Sequence, residues 1–140
     1  MPSLDLQACE TSLREKYLRG RQAYERANPG MLLRVTATYR SVGEQQGLYA
    51  MGRTRPGQIV TQLDGITQKS NHNAFPARAI DFCVTIGGKV SWRPEDYICA
   101  GECLEAEGLI WGGRWPHFKD YPHVELPSDA PHVDLPGEAP

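Results

Sequence analysis

Two clusters of chelating side chains, far apart along the chain, set the main constraint on how it can fold. In Ser70-Asn71-His72-Asn73-Ala74-Phe75-Pro76-Ala77-Arg78-Ala79-Ile80-Asp81-Phe82 a histidine and an aspartate bound a loop. A second cluster, Asp120-Tyr121-Pro122-His123, could close a metal site with the first. Two imidazoles and a carboxylate, with a fourth position left to water, are the donor set of a catalytic zinc ion, bound at roughly 2.0–2.2 Å. A fold that uses them must bring His72, Asp81 and His123 to one point, and the rest of the chain then reads as scaffold and pocket.

The 140 residues, 40% hydrophobic and 23% charged, suffice for one domain with a core that needs no disulfide or metal to hold it. That domain is expected over 1–127, followed over 128–140 by a proline-rich, acidic and disordered tail with little apolar surface to bury. No run approaches the roughly 18 apolar residues of a membrane span, and the opening Met1-Pro2-Ser3-Leu4-Asp5 lacks the order of a secretory signal, so residence in a cytoplasm without stable membrane association is expected. Cys9, Cys83, Cys99 and Cys103 form no CxxC pair and read as reduced, buried small residues. Residues 1–60 carry nine Lys/Arg against five Asp/Glu, and residues 101–140 two against eight. With a pI near 6.1 and no basic stripe, nucleic acid is excluded as a partner.

Leu6, Cys9, Leu13, Tyr17 and Tyr24 recur at helical steps and predict an amphipathic helix over 5–27, stopped by Asn28-Pro29-Gly30. The β-branched run 31–39 predicts a strand that delivers Arg40 and Ser41, and Ser41 caps a short helix to 51. The polar stretch 52–69 reads as loop with an extended piece at 59–61. Residues 79–86 and 89–92 around Gly87-Gly88 predict a hairpin, and Pro94 opens a helix to 107 with Gly108 as its stop. Strands at 109–111 and 122–126 flank an aromatic loop. Helices and short strands without βα alternation argue an α+β domain with a small antiparallel sheet.

The series Tyr39-Arg40-Ser41, Glu44-Gln45 with Leu48-Tyr49, Gly52-Arg53-Thr54 with Pro56-Gly57, Ser70-x-His72, Ala79-x-Asp81-Phe82, Gly108-Leu109-Ile110-Trp111-Gly112-Gly113-x-Trp115 and Asp120-Tyr121-Pro122-His123-x-Glu125-Leu126 resembles the zinc D-Ala-D-Ala carboxypeptidase family. That family includes D-Ala-D-Ala dipeptidases and phage L-alanyl-D-glutamate endolysins, and it shares a fold with the Hedgehog signalling domain. The likeness runs in order over 31–126 and is strongest to the endolysin branch. It implies a Hedgehog/DD-peptidase-like fold and Zn2+ held by His72, Asp81 and His123. It further implies Asp120 as acid/base, Arg40 against a developing oxyanion, and Ser70 and Gln45 as substrate-contacting residues. His72 and Asp81 stand nine positions apart, longer than is usual in the family, so the loop between them must bulge, and it could form one wall of a groove.

The residue chemistry agrees with these roles: a carboxylate beside an open metal position can carry a proton, and an always-charged guanidinium can meet an oxyanion. Asp120 and His123, three apart with Pro122 between, cannot share a face of one regular strand, so Asp120 must enter from a loop. His117 and His132 read as ordinary histidines, although Pro131-His132-Val133-Asp134-Leu135 nearly repeats Pro122-His123-Val124-Glu125-Leu126. The expected function is a monomeric zinc peptidase acting on the peptidoglycan stem peptide, cutting between L-alanine and D-glutamate as a phage or prophage endolysin that leaves the host cytoplasm for the wall. A D-Ala-D-Ala carboxypeptidase, with Arg78 or Arg114 receiving a terminal carboxylate, and a non-catalytic zinc-stabilised binding module remain alternatives. Asp120 separates the last, since a structural zinc site has no use for an acid/base.

Overall fold

Alternation along Ala79-Ile80-Asp81-Phe82-Cys83-Val84 decides the architecture: Ile80, Phe82 and Val84 are fully buried, and Asp81 and Cys83 face the other way. In the computed structural model, which describes residues 3–128, this segment is the central strand β2 (Ala79–Ile86). Strand β1 (Met31–Ala37) pairs antiparallel along one edge. The other edge is shared by the short β3 (Lys89–Val90) and by β5 (His123–Glu125), and β4 (Ile110–Trp111) lies outside β5. Gly87 and Gly88, at φ +59° and +81°, make the tight β2–β3 turn that the Gly-Gly pair predicts.

Helices α1 (Thr11–Ala27) and α3 (Pro94–Glu105) cover the inner face of the sheet, and α2 (Val42–Ala50) follows β1. Leu13, Tyr17, Gly20 and Tyr24 of α1 meet Tyr97, Ala100, Gly101 and Leu104 of α3 in one core with Leu33, Phe82, Trp111 and Val124. At Gly20 a Cβ would come within 2.6 Å of Leu104, so its absence lets the two helices touch. The architecture is the expected α+β one, and among the described residues no helix is long and apolar enough to cross a membrane.

Several boundaries differ from the sequence reading. The first helix begins at Thr11 because Cys9 bridges Ala77, with the amide of Glu10 donating to the Ala77 carbonyl; Leu6–Ala8 is a separate 3-10 turn capped by Asp5. Strand β1 stops at Ala37 because Thr38 and Tyr39 exchange backbone hydrogen bonds with Ser3 after a bulge between Val35 and Ala37. Residues 59–61 form no strand, since Ile59 and Val60 stay exposed with no neighbouring strand to pair. Strand β3 ends early because Ser91 turns its hydroxyl to Asp96 and the amide of Arg93 at the start of α3. Helix α3 ends at Glu105, and Gly108 at φ +92° completes the reversal. The expected tail and His132 lie outside the described residues.

Trp111 is the tightest point of this core. A Cβ on Gly101 would lie 2.3 Å from its indole, whose Nε1–H donates to the Tyr121 carbonyl at 2.7 Å and so cannot easily retreat. Gly101→Ala is therefore expected to destabilise the fold by about 1–3 kcal/mol, the usual cost of overpacking. Denaturant unfolding should show a lower midpoint with unchanged slope; an unchanged midpoint would show that the indole can move.

Candidate active site

The outer face of the sheet gathers the chelating residues through strand register. Asp81 on β2 is paired directly with His123 on β5, and on an antiparallel ladder such partners hold their side chains close. His123 Nδ1 lies 2.9 Å from Asp81 Oδ1. His72 arrives from a 3-10 turn (Asn71–Asn73) capped at both ends of its box by Ser70 and Asn73, and its Nε2 lies 3.1 Å from the same Asp81 oxygen. The three donor atoms fall within 4.8 Å of one another. Tetrahedral ligands at 2.0–2.2 Å from an ion would be roughly 3.3–3.6 Å apart, so the cluster has the size of a metal site.

Both imidazoles are oriented by what holds their far nitrogens. His72 Nδ1 lies 2.6 Å from the Thr38 carbonyl, which can only accept, so Nδ1 carries the hydrogen and Nε2 presents a lone pair. That Nε2 is buried and satisfies no hydrogen bond, as a ligand nitrogen would. On the other ring, Nε2 lies 2.7 Å from Glu125 Oε1, which turns Nδ1 toward Asp81. Glu125 is itself held by the Asn71 amide at 2.7 Å. Carboxylate or carbonyl support of a ligating imidazole is the usual outer arrangement around bound metal, and His-x-Glu on a strand places both side chains on one face.

Electrostatics point the same way. Burial works against the Asp81 carboxylate, yet His123 and His72 hold its pKa well below the usual range. Burial also opposes a charged His123, but Asp81 and Glu125 push its pKa up to about 10. Two ring nitrogens and a carboxylate packed this closely call for shared positive charge, which a proton or a divalent cation can supply.

Asp120 enters from the loop before β5, as the spacing requires, and its Oδ2 stands 3.9 Å from His123 Nδ1. Its amide donates to the Gly112 carbonyl at 3.0 Å, and a Cβ on Gly112 would lie 2.4 Å from the Asp120 carbonyl oxygen, so that glycine makes the approach possible. Burial, against the pull of His123 and with the push of Asp81, raises its pKa.

Arg40 donates from Nη2 to Asp81 Oδ2 at 3.3 Å and from Nη1 to Gln45 Oε1 at 2.7 Å. It lines the cavity while Gln45, fully buried, stands behind it with its amide on the Leu63 carbonyl at 2.8 Å. Gln45 is therefore placed to position Arg40 and the 61–63 loop, not to touch a substrate. Ser70 lines the cavity and caps the His72 turn, accepting from the His72 amide at 3.1 Å.

The cavity is about 610 Å³, walled by Val60, Leu63, Lys69, Trp115, His117 and Phe118 around the chelating residues. A second hollow of about 470 Å³, lined by Thr36, Glu44, Gly47 and Arg55, shares Arg40, Leu48, Met51 and Asp81 with it. Residues 73–80 form no part of either wall: the long loop after His72 is pinned to the N-terminal segment through Ala77 and through Arg78, which grips Glu10 at 2.9 Å. Arg78 also donates to the Pro127 carbonyl, and Arg114 pairs with Glu105 over the Trp111 ring, so neither cation faces the cavity.

Residues 64–126 match a family model described as D-alanyl-D-alanine carboxypeptidase. The peptidoglycan L-alanyl-D-glutamate endopeptidase CwlK of Bacillus subtilis strain 168 is 38% identical over 110 residues, 71% of this chain, and the chain spans 64% of that protein's length. The fold is similar to that of the Serratia marcescens L-Ala D-Glu endopeptidase ChiX, with a TM-score of 0.63 at 24% identity over 87% of this chain and 83% of the other.

Proposed function

We propose that the chain is a member of the D-alanyl-D-alanine carboxypeptidase family, whose model its residues 64–126 match, and that it is a zinc peptidase that cuts the peptidoglycan stem peptide between L-alanine and D-glutamate. The observation that carries this reading is the convergence of two ring nitrogens, His72 Nε2 and His123 Nδ1, on Asp81 Oδ1 in a cavity that also holds Asp120. His72, Asp81 and His123 would hold the ion, and the donor set suits zinc. Bound there, zinc supplies Lewis-acid polarisation of the substrate carbonyl and activation of water.

The chain's own residues do the rest. Asp120, with a raised pKa, takes a proton from the attacking water and returns it to the leaving amine. Arg40 fixes the second oxygen of Asp81 and lines the cavity, where its fixed positive charge can meet the developing oxyanion. Glu125 keeps the hydrogen of His123 on Nε2, and Thr38 does the same for Nδ1 of His72. Glu125→Gln should therefore weaken metal affinity by about 10–100-fold, measured by chelator competition, because an amide can present its NH2 to the ring and disfavour the required tautomer. Unchanged affinity would show that the Glu125 contact is incidental.

Two features favour cutting inside the stem over trimming its end. The hollows meeting at Arg40 and Asp81 leave room for chain on both sides of the reacting bond. Arg78 and Arg114, the cations considered for a terminal carboxylate, are turned away and ion-paired. Digested purified peptidoglycan should yield new N-terminal glutamate; free D-alanine in its place would establish the carboxypeptidase reading. As part of the same proposal the protein works as an endolysin, and adding it to cells with exposed peptidoglycan should lower their turbidity, an unchanged reading counting against that setting.

A further inference from the structure

A glutamate that continues a chain through one carboxyl group keeps its other carboxyl free, beside the bond that joins it to alanine. A peptidase for that bond meets either a carboxylate there or, where the group is amidated, a neutral carboxamide. Histidines apart, the charged side chains lining the main cavity are Arg40, Lys69, Asp81, Asp120 and Glu125. Asp81, Asp120 and Glu125 belong to the chelating and proton-handling cluster, and Arg40 is engaged by Asp81 and Gln45. Lys69 is the remaining lining cation, and among the described residues no hydrogen bond or ion pair involves its ammonium.

Its backbone is held from both sides. Before it, Asp64 Oδ1 accepts from the amides of Ile66, Thr67 and Gln68 at 2.8–2.9 Å, closing a turn. After it, the reciprocal Ser70–Asn73 capping box fixes the segment that carries His72, and Asn71 of that segment reaches Glu125. Lys69 thus projects from between two braced turns on the same wall as a chelating residue, with its charge uncommitted.

We infer that Lys69 is a specificity residue that reads the free carboxylate of the glutamate next to the scissile bond and so favours acid over amidated stems. The inference rests on the proposed bond. A single mobile ammonium at an exposed site contributes a modest factor, about three- to tenfold in kcat/KM, expressed mainly in KM.

The test uses the full chain loaded with zinc and two synthetic stem peptides that differ only in acid or carboxamide at that glutamate, with a third ending in D-Ala-D-Ala. The wild type should prefer the acid peptide by about three- to tenfold; Lys69→Gln should bring the acid peptide down to the amide's level while leaving the amide unchanged; Lys69→Arg should keep most of the preference. Equal losses on both peptides, or a wild type indifferent to the carboxyl, would overturn the inference while the bond assignment stands. If Lys69→Gln instead impairs release of free D-alanine from the third peptide, the lysine reads a terminal carboxylate and the inference is wrong. A wild type that cuts neither alanyl-glutamate peptide removes the bond assignment itself, and the inference falls with it.

Discussion

Asp120→Asn is expected to retain a full complement of metal and to lose turnover by a factor on the order of 10²–10⁴, the usual worth of general acid–base catalysis. Asparagine keeps the shape that Gly112 admits and the backbone bond that fixes the loop, but it cannot take a proton from water. The chelating atoms are untouched, since Asp120 stands 3.9 Å from His123 Nδ1 and outside the cluster of three. Stability should hold as well. A carboxyl whose pKa is raised by folding binds its proton more tightly in the native state, so it weakens the fold as pH rises through the interval between its unfolded and folded values, and above it. Removing its charge takes that penalty away. Zinc content measured beside turnover decides the matter: full metal with turnover within tenfold of wild type would assign the proton to another group.

The parts of this arrangement that short-range chemistry writes were legible before the structure. Ser41 caps α2 as its position predicts, and the structure adds Glu44 as the other half of a capping box. Asp120 had to come from a loop because three residues on a strand and a proline forbid otherwise, and it does. Glu125 was within reach of the same logic, because His123-x-Glu125 is a period-two pair, yet its support of the imidazole depends on which ring nitrogen faces the metal, and no spacing states that. What sequence could not supply was pairing across the chain. The extra length between His72 and Asp81 looked like material for a groove wall, but Cys9 and Glu10, far upstream, capture Ala77 and Arg78 and draw the loop away. Gln45 stands in the expected series yet spends its amide on Arg40 and Leu63. For the loop the competing partner is remote in sequence and carries no local signal, and for Gln45 the amide nitrogen is taken by a backbone carbonyl in a loop whose path no spacing states.

Replacing His72 or His123 with Ala should abolish activity and leave the protein without zinc after dialysis, whereas His132→Ala should keep both. The two losses differ in what they leave behind. Without His72 the Thr38 carbonyl loses its donor in a site with almost no solvent, so some fold stability goes too, roughly 1–3 kcal/mol for a buried group left unpaired. Without His123 the carboxylates of Asp81 and Glu125 lose the ring between them, and two anions face each other at the end of β2 and β5. Activity alone cannot separate a missing ligand from a damaged fold, but metal linkage can. An ion that binds only the native state stabilises it by RT ln(1 + [metal]/Kd), about 4 kcal/mol at a thousandfold excess over Kd. Chelator should therefore lower the melting temperature of the wild type and of His132→Ala, and leave those of His72→Ala and His123→Ala where they are. A chelator-sensitive melting point in either ligand variant would mean that the ion sits elsewhere, and zinc lost from His132→Ala would transfer the site to the second Pro-His repeat.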